Sequence, residues 1–382
     1  MQNLPRKLDL PALLAKKSFF LFGPRSTGKS FLVHQQLGDR ALVIDLLRSD
    51  LFIRLSAHPE DLENLIAVAP RPRWVVIDEI QRVPALLTEV HRLIEQKRYR
   101  FLLTGSSVRK LRRGSADLLA GRAWVANLYP LSWSEIPAFD LGRYLRFGGL
   151  PPVYLSRSPE EELRAYAAVY LQEEIRAEGI IRRLPPFARF LRVAALSSGQ
   201  LLNYAQVASD AGVPASTVRE YFSVLDDTLV GWTLEPWRES RKRKAIQTAK
   251  FYFFDPGVMH ALAGTSTLDR NSDLYGRSFE HFIGMELRAY LSYARTGHTL
   301  TFWRSKHGHE VDFLVGGTVA VEVKATRKAS LRDARGLRAL ADEKIARRLF
   351  LVSDDPVAAR RDGIEFLPWA TFLARLWAGD VI

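Results

Sequence analysis

The sequence contains no cysteine among its 382 residues. This absence excludes disulfide bonds, thiolate metal sites and cysteine nucleophiles, and it is typical of proteins in the reducing cytoplasm. No uninterrupted apolar stretch is long enough to cross a bilayer. The first 17 residues are charged and are broken by Pro5 and Pro11, so they lack the pattern of a secretory signal. We therefore expect a cytoplasmic protein that does not enter a membrane.

Acidic side chains are outnumbered by basic ones, 42 to 55, which gives a net charge of +13. A basic excess of this size favours a polyanionic partner, because side chains that neutralise phosphates release counterions. An ordinary solvated surface is the alternative, but the charge favours a nucleic acid partner. Internal repeats and low-complexity segments are absent, and the length of 382 residues with 47% hydrophobic content predicts two or three globular domains.

The most specific motif runs from Gly23 to Ser30 and reads GPRSTGKS. It fits the phosphate-loop pattern G-x-x-x-x-G-K-[ST], which requires a strand before it and a helix after it. Residues 18–22 form an apolar run that predicts a buried strand, and residues 31–33 predict the start of a helix. Because both neighbours are present, we predict a nucleotide site rather than a chance glycine-rich turn.

The chemistry of this loop follows from its residue types. Gly23 and Gly28 allow the backbone to turn tightly and to approach a phosphate. The loop amides and the helix N-terminus then face the anion. Lys29 can reach the β- and γ-phosphates, and Ser30 can offer its hydroxyl to Mg²⁺. The predicted nucleotide-binding residues are Gly23, Pro24, Arg25, Ser26, Thr27, Gly28, Lys29 and Ser30.

Two later apolar strands end in polar side chains that complete such a site. The first leads into Asp78, expected to hold the water shell of Mg²⁺, and Glu79, expected to polarise the attacking water. The second leads into Thr104 and Ser106, which lie near the γ-phosphate unless the segment is a simple turn. Arg122 follows a basic loop and is either an arginine finger for a neighbouring subunit or an ordinary surface arginine.

Four segments carry a resemblance to a known family. In their order along the chain, GPRSTGKS, WVVIDEIQRVP, FLLTGSS and LAGR resemble the motifs of AAA-type ATPases that carry a C-terminal DUF4143 region. The resemblance implies an AAA+ αβα core, ATP with Mg²⁺, and a homo-oligomer such as a ring. It further implies that Asp78 and Glu79 are the Walker B pair, that residues 104–106 are the sensor region, and that Arg122 is the finger.

The middle of the chain has the pattern of a helical lid followed by a winged helix. Residues 160–177 predict one helix, with its apolar residues on a single face. Residues 203–222 have helix-turn-helix spacing with Gly212 at the turn. Two apolar strands follow and flank a basic stretch. The alternative is a winged helix that only packs against protein. The predicted DNA-binding residues are Ser216, Thr217, Arg219, Arg241, Lys242, Arg243 and Lys244.

The last region predicts a long amphipathic helix over residues 277–293 and then a group of strands. Two of these strands form a hairpin that turns at residues 316–317. Alternation along the hairpin lets Asp312, Glu322 and Lys324 converge. Two carboxylates can hold a metal that activates water, and a lysine can stabilise the developing charge.

This run resembles the PD-(D/E)xK nuclease core, with Asp312 as its aspartate and Glu322-Val323-Lys324 as its E-x-K. Glu280, four residues after Gly276, matches the helix glutamate of archaeal Holliday-junction resolvases, and Glu286 is the rival. The resemblance implies catalytic roles for Glu280, Asp312, Glu322 and Lys324, with Mg²⁺ or Mn²⁺ on the carboxylates. A Gln-x-x-x-Tyr element found on the next helix of some members is not visible in residues 331–345. The alternative is a surface hairpin or a decayed nuclease fold.

We therefore predict an α/β protein with three domains. These are an AAA+ P-loop αβα core at residues 1–141, a helical lid with a winged helix at 142–272, and a restriction-endonuclease-like αβα domain at 273–382. The predicted function is an ATP-hydrolysing motor that binds DNA, branched DNA such as Holliday junctions above all, and cleaves it with the C-terminal nuclease. The alternatives are a DNA translocase or remodeller with an inactive nuclease-like domain, and a signalling or toxin–antitoxin-like NTPase that uses this domain for assembly.

Overall fold

The computed structural model describes residues 4–69, 73–105, 119, 121–170, 184–238 and 248–382. The chain divides into two compact units, one formed by Asn3–Pro130 with Asp227–Val230 and the other by Leu131–Asp226 with Gly231–Ile382. Among the described residues, no helix is both long enough and apolar enough to span a bilayer.

The first unit is built on a parallel sheet. Its strands are β1 (Ser18–Phe22), β2 (Ala41–Asp45), β3 (Trp74–Asp78), β4 (Phe101–Gly105) and β5 (Ala123–Asn127), in the order β2-β3-β4-β1-β5. Its helices are α1 (Leu10–Lys16), α2 (Lys29–Leu37), α3 (Ser49–Ala57), α4 (Asp61–Val68) and α5 (Leu86–Lys97). Every residue of β1, β3 and β4 is buried, as their continuous apolar sequences require. The predicted α/β fold with a parallel sheet is confirmed.

The order of the strands places the candidate nucleotide residues together. Strand β4 lies between β1 and β3, so the carboxyl ends of these three strands meet at one edge of the sheet. The phosphate loop leaves β1 at this edge, and Asp78 and Thr104 lie near the ends of their strands. This is the edge where ligands bind in open α/β sheets.

The second unit begins with α6 (Leu141–Phe147), α7 (Pro151–Tyr154), α8 (Pro159–Ala165) and α9 (Leu184–Leu196). The helical segment predicted over residues 160–177 is present in its described part, but it is not α-helical throughout. Helix α8 ends at Ala165, and a π-helical turn, Tyr166–Tyr170, follows it. The wider turn accompanies packing of the buried Tyr166 ring on Phe254, with ring centroids 6.1 Å apart. The remainder of that prediction lies outside the described residues.

Two helices and a strand pair follow, where the helix-turn-helix pattern and the apolar runs predict them. They are α10 (Tyr204–Ala211), α11 (Ala215–Asp227), β6 (Gly231–Leu234) and β7 (Lys250–Phe253). Asn203 caps α10 by accepting a 3.1 Å hydrogen bond from the Gln206 amide. Gly212 ends α10 in the left-handed conformation, with φ of 65°. Strands β6 and β7 are antiparallel, and α12 (Pro256–Ala263) follows them.

The C-terminal part of the second unit contains a mixed sheet. Its strands are β8 (Leu300–Arg304), β9 (Glu310–Val315), β10 (Val319–Lys324), β11 (Arg348–Ser353), β12 (Ala359–Arg361) and β13 (Ile364–Pro368), in the order β12-β13-β11-β10-β9-β8. Its helices are α13 (Asp273–Tyr293), α14 (Arg335–Ala341) and α15 (Trp369–Ala378). The connection between β11 and β13 contains the short strand β12, which pairs antiparallel with β13.

Glycines permit one tight turn and one close helix–sheet contact in this part of the chain. Gly316 and Gly317, both with positive φ, form the hairpin turn between β9 and β10. Helix α13 crosses the sheet at Gly284, where an added Cβ would lie 2.6 Å from the ring of Phe313. The hairpin and the helix that carry the predicted nuclease residues are therefore packed directly together.

Candidate active sites

The phosphate loop has the backbone that its glycines predict. Gly28 has φ of 91° and precedes the first residue of α2. A Cβ at Gly23 would lie 2.5 Å from the carbonyl oxygen of Leu128, so only glycine fits there. The buried Thr27 hydroxyl donates to the Pro24 carbonyl over 2.8 Å, which closes the loop on itself. Arg25 lies on the exposed side of this loop, and the next residue, Ser26, has φ of 66°.

Arg6 supports this loop from outside the motif. Its guanidinium donates to the carbonyl oxygens of Thr27 at 2.8 Å and Tyr129 at 2.6 Å. Arg6 was not predictable from the sequence, because these partners are 21 and 123 residues away along the chain. No local pattern carries that signal.

Lys29 and Ser30 lie at the start of α2, facing the sheet edge. The buried Lys29 ammonium donates to the carbonyl oxygens of Gly23 at 2.7 Å and Pro24 at 3.3 Å. The Ser30 hydroxyl donates to Asp78 Oδ2 over 2.7 Å. The structure thus brings the loop and the acidic strand into direct contact.

Thr104 completes the contact between neighbouring strands. Its hydroxyl donates to Asp78 Oδ1 and accepts a 3.2 Å hydrogen bond from the Glu79 amide. Asp78 is therefore held by two hydroxyls, one from α2 and one from β4. Glu79 has φ of 61°, a left-handed conformation that costs a non-glycine residue about 1–3 kcal/mol.

Gln81 is a second residue that the sequence analysis missed. Its side-chain amide donates to the carboxylate of Glu79. A Cβ at Gly105 would lie 2.7 Å from Gln81 Oε1, so a glycine at the end of β4 leaves room for this side chain. Gln81 lies within the segment WVVIDEIQRVP. A polar side chain close behind the acidic pair was the available signal.

Arg122 and Ser106 do not join this cluster. Arg122 Nε donates to Glu95 Oε1 over 2.6 Å, in an ion pair whose two partners are both partly exposed. Ser106 lies outside the described residues. The finger and sensor roles of these two residues remain predictions.

The donor set of this site suits a magnesium–nucleotide complex. Ser30, Asp78 and Thr104 supply hydroxyl and carboxylate oxygens, the ligands that Mg²⁺ prefers. Lys29 supplies a cation beside a loop shaped by glycine. The residues present therefore fit the cofactors that the sequence predicts.

The hairpin of β9 and β10 brings the predicted nuclease residues together. Asp312 and Glu322 are both buried, with exposed fractions of 4% and 5%. Asp312 Oδ2 accepts a 2.8 Å hydrogen bond from the Val323 amide, and Lys324 Nζ donates to Glu322 Oε1 over 2.5 Å. Glu322 Oε2 is buried and has no hydrogen-bond partner. An orphaned carboxylate oxygen in such a place calls for an explanation, and a cation supplies one.

The electrostatics of the pair also favour a cation. Burial, followed by the charge of Glu280, raises the pKa of Asp312 to about 6. Burial and the neighbouring Asp312 raise the pKa of Glu322 well above its ordinary value. Burial alone would lower the pKa of Lys324, but the two carboxylates outweigh it and raise that pKa. The two carboxylates destabilise each other, and a positive charge relieves the repulsion.

Glu280 and Glu286 have different surroundings. Glu280 Oε1 accepts hydrogen bonds from Lys250 Nζ at 3.0 Å and from the Tyr252 hydroxyl at 2.6 Å. Glu286 accepts from the Trp133 amide and from the Trp377 indole, both at 2.7 Å. Both carboxylate oxygens of Glu286 therefore accept buried hydrogen bonds. Glu280 instead lies close enough to Asp312 to raise the pKa of Asp312.

The predicted set of three metal-binding carboxylates is brought together only in part. In the chain as described, no group of three or more histidine, aspartate or glutamate side chains is arranged to hold a metal. Glu280 is instead hydrogen-bonded to Lys250 and Tyr252. Asp312 and Glu322, with the orphaned oxygen, fit a hard divalent cation by themselves.

The predicted DNA-binding residues of α11 lie on its outer side. Ser216 and Arg219 are exposed and Thr217 is half-buried, while Val218 between them is buried. The Arg219 guanidinium lies 4.9 Å from the centre of the Tyr204 ring, a cation–π contact that orients it. The other four, Arg241, Lys242, Arg243 and Lys244, lie outside the described residues.

A row of basic side chains that was not predicted from the sequence follows the hairpin of β9 and β10. All five are exposed: Arg327, Lys328, Arg332, Arg335 and Arg338. Helix α14, which carries the last two, packs against the site. A Cβ at Gly336 would lie 1.6 Å from the Glu310 carbonyl oxygen and 3.4 Å from Glu322 Oε2. The spacing of arginines in KATRKASLRDARGLR was the available signal.

Relatives of this chain share most of its length. An uncharacterized protein of Mycobacterium tuberculosis is 29% identical over 322 residues, which cover 79% of this chain and 71% of the relative. An uncharacterized protein of Methanocaldococcus jannaschii is 22% identical over 346 residues, 80% of this chain and 73% of the relative. Neither relative lends an activity to this chain.

Solved structures with some likeness include the replication initiator DnaA. DnaA bound to AMPPCP and single-stranded DNA is 11% identical and matches 59% of this chain and 90% of that chain, with a TM-score of 0.31. AMPPCP-bound DnaA from Aquifex aeolicus is 13% identical and matches 55% of this chain and 81% of that chain, with a TM-score of 0.27. Sequence identities and TM-scores this low assign neither a fold nor a function to this chain.

Family models match three consecutive segments. Residues 15–137 match the AAA domain, residues 138–269 match a domain of unknown function (DUF8612), and residues 275–372 match a domain of unknown function (DUF4143). The first and the last of these matches confirm the corresponding part of the resemblance that the motifs carry. The chain therefore combines a segment that matches the AAA domain with a segment that matches DUF4143.

Proposed function

We propose that this chain is an ATP-hydrolysing DNA-processing protein. One observation carries the ATPase assignment: the Asp78 carboxylate accepts hydrogen bonds from Ser30 of α2 and Thr104 of β4. This contact joins the phosphate loop to the acidic strand in the arrangement that metal-assisted phosphoryl transfer uses. The match of residues 15–137 to the AAA domain supports the same assignment.

The residues gathered at the edge of the sheet have roles that follow from their contacts, and the role of Arg122 follows from the resemblance. Bound Mg²⁺–ATP supplies the transferable phosphoryl group and the neutralising metal. Lys29 and the loop amides would bind the phosphate charge, and Ser30 and Asp78 would hold the metal. Glu79 would take the proton of the attacking water. Arg122 would stabilise the developing charge on the nucleotide of a neighbouring subunit, which requires a homo-oligomer such as a ring.

The Gln81 amide orients the carboxylate of Glu79, so Gln81 is a positioning residue.

The test of the ATPase assignment is Glu79→Gln, with Glu89→Gln on α5 as its matched control. We expect Glu79→Gln to bind ATP with unchanged affinity but to lose at least about 100-fold in turnover, the range for a general base. Equal turnover in both variants would contradict the role of Glu79.

A second activity, DNA cleavage, rests on a separate observation. Asp312, Glu322 and Lys324 converge on the hairpin, and Glu322 Oε2 is buried without a partner. Bound Mg²⁺ or Mn²⁺ would supply a Lewis acid at this point. Asp312 and Glu322 would hold it, and Lys324 would stabilise negative charge on the phosphate.

DNA would be held by basic and polar surfaces of the second unit. These are the outer side of α11 and the row of exposed basic residues after Lys324. The sequence stretch 241–244, which lies outside the described residues, would add contacts to phosphate. Branched substrates such as Holliday junctions follow only from the resemblance of the E-x-K hairpin to junction resolvases. The full proposal is therefore an ATP-driven DNA-processing machine with a metal-dependent nuclease.

A nuclease assay tests the second activity. Linear duplex, single-stranded and four-way DNA are incubated with the full chain and Mg²⁺ or Mn²⁺. We expect cleavage of four-way DNA that Asp312→Asn abolishes and that the matched Asp333→Asn leaves intact. If the wild-type chain cuts none of these substrates, a DNA remodeller with an inactive nuclease-like domain, or a signalling or toxin–antitoxin-like NTPase, replaces this assignment.

A further inference from the structure

Lys250 is a buried lysine that neither the ATPase site nor the E-x-K hairpin uses. It is the first residue of β7, a strand of the winged helix, and only 3% of its side chain is exposed. A buried ammonium is costly unless it is paired and hydrogen-bonded. Its partners therefore indicate what holds it there.

Those partners belong to the DUF4143 segment. Lys250 Nζ lies 3.0 Å from Glu280 Oε1 and 2.6 Å from Glu310 Oε1. The Tyr252 hydroxyl donates to the same oxygen of Glu280, and Arg304 pairs with the other oxygen of Glu310 at 3.1 Å. A strand of the winged helix thus places a cation among the acidic groups next to Asp312.

Backbone contacts fix this strand pair against the nuclease-like sheet. The Trp237 amide donates to the Phe302 carbonyl over 2.7 Å, and the Phe302 amide donates to the Glu235 carbonyl over 3.1 Å. The Trp237 ring also covers the hairpin turn, since a Cβ at Gly317 would lie 2.6 Å from it. Lys250 is therefore held in place by the packing of the two segments and not by its ion pairs alone.

The charge of Lys250 is maintained by its neighbours. Burial by itself would lower its pKa, but the negative charges around it, that of Glu280 foremost, raise this pKa well above its ordinary value. A cation is thus present at Glu280, while Glu322 Oε2 has no partner. The resemblance assigned Glu280 and Glu322 to one metal, but Glu280 is paired with Lys250, whereas Glu322 has an oxygen without a partner.

We propose that Lys250 is a positioning residue that keeps Glu280 away from a divalent metal. Asp312 and Glu322 then bind the metal without Glu280, and removing the Lys250 charge frees Glu280 to become a third ligand. This inference rests on the proposed metal site of the second activity. It reverses the ligand role that the sequence predicts for Glu280, and it makes the winged helix part of the nuclease-like site.

Mn²⁺ binding to the nucleotide-free full chain, followed by electron paramagnetic resonance, tests this inference. Asp312→Asn defines the binding that does not belong to the site. We expect Glu280→Gln to leave the remaining affinity unchanged within about twofold, because Glu280 is not a ligand. Lys250→Met should tighten Mn²⁺ binding at least about tenfold, since added ligand charge raises affinity. Lys306→Met, at an exposed lysine, should change nothing.

The double variant Lys250→Met with Glu280→Gln separates the causes. It should lose the gain of Lys250→Met, because the freed ligand is gone. If Lys250→Met does not fold, as judged by circular dichroism with and without Mn²⁺, the Glu280→Gln result decides alone. An affinity that falls tenfold in Glu280→Gln would overturn this inference and leave the metal site standing. No Mn²⁺ binding that depends on Asp312 in any variant would overturn both.

Discussion

Thr104→Val removes the hydroxyl at the centre of the nucleotide site while preserving its shape. Thr104 is fully buried, donates to Asp78 and accepts from the Glu79 amide. A hydrogen bond to a charged group contributes about 1.5–3 kcal/mol. If that stabilisation positions Asp78 and Glu79 for the transition state, its loss lowers kcat by about 10- to 150-fold.

The assay is steady-state ATP hydrolysis together with nucleotide affinity from calorimetry. We expect kcat to fall and the affinity for ATP to stay close to that of the wild type, because Lys29 and the loop amides are untouched. The matched control is Thr301→Val, which removes a 3.0 Å hydroxyl hydrogen bond to the Leu314 carbonyl on the C-terminal sheet. Wild-type kcat in folded Thr104→Val protein, or equal losses in both variants, would refute this account of the site.

Three further predictions concern stability and DNA binding. Burial raises the pKa of Glu286 from its ordinary value of 4.5 to about 8. Above pH 4.5 the unfolded chain therefore releases a proton that the folded chain keeps, so the free energy of unfolding, relative to that of Glu286→Gln, should fall by about 1.4 kcal/mol per pH unit between pH 5 and pH 8. A pH-independent difference between the two proteins in urea titrations would exclude a protonated Glu286. Gly336→Ala should lower the free energy of unfolding by at least about 1–3 kcal/mol, because the new Cβ would meet the Glu310 carbonyl. Gly276→Ala is the control, since a Cβ at that position has nothing within 4 Å. Equal melting temperatures of the two variants would contradict the packing of α14. Neutralising residues 241–244 should reduce the salt dependence of duplex affinity by up to about one unit of slope for each phosphate that the variant no longer neutralises, and an unchanged slope would remove this stretch from the DNA interface.

Local patterns predicted the elements whose signals are contained in short segments. The phosphate loop, the buried strand ending at Asp78 and the hairpin turning at Gly316 all follow from residue types within about ten positions. Burial on both faces makes a parallel strand apolar throughout, so its position is readable without knowledge of its neighbours. The convergence of Asp312 and Glu322 followed from alternation across one short turn.

Contacts between distant segments were not readable in this way. Arg6 reaches carbonyls 21 and 123 residues away, and Lys250 reaches Glu280 and Glu310 on a helix and a strand of the next segment. Neither residue belongs to a periodic pattern or a motif. The resemblance to junction resolvases assigned Glu280 to the metal through its spacing from Gly276. Spacing shows which face of a helix a residue occupies but not which cation lies opposite it.

The most direct test of the central claim is Mg²⁺-dependent release of phosphate from ATP by the wild-type chain and by Lys29→Ala. The Lys29 ammonium contacts loop carbonyls and not the hydrophobic core, so the variant should fold. We predict steady turnover in the wild type and its loss in Lys29→Ala, with unchanged circular dichroism spectra. Equal phosphate release from the two proteins, or none from either, would contradict the assignment of this loop as a working nucleotide site.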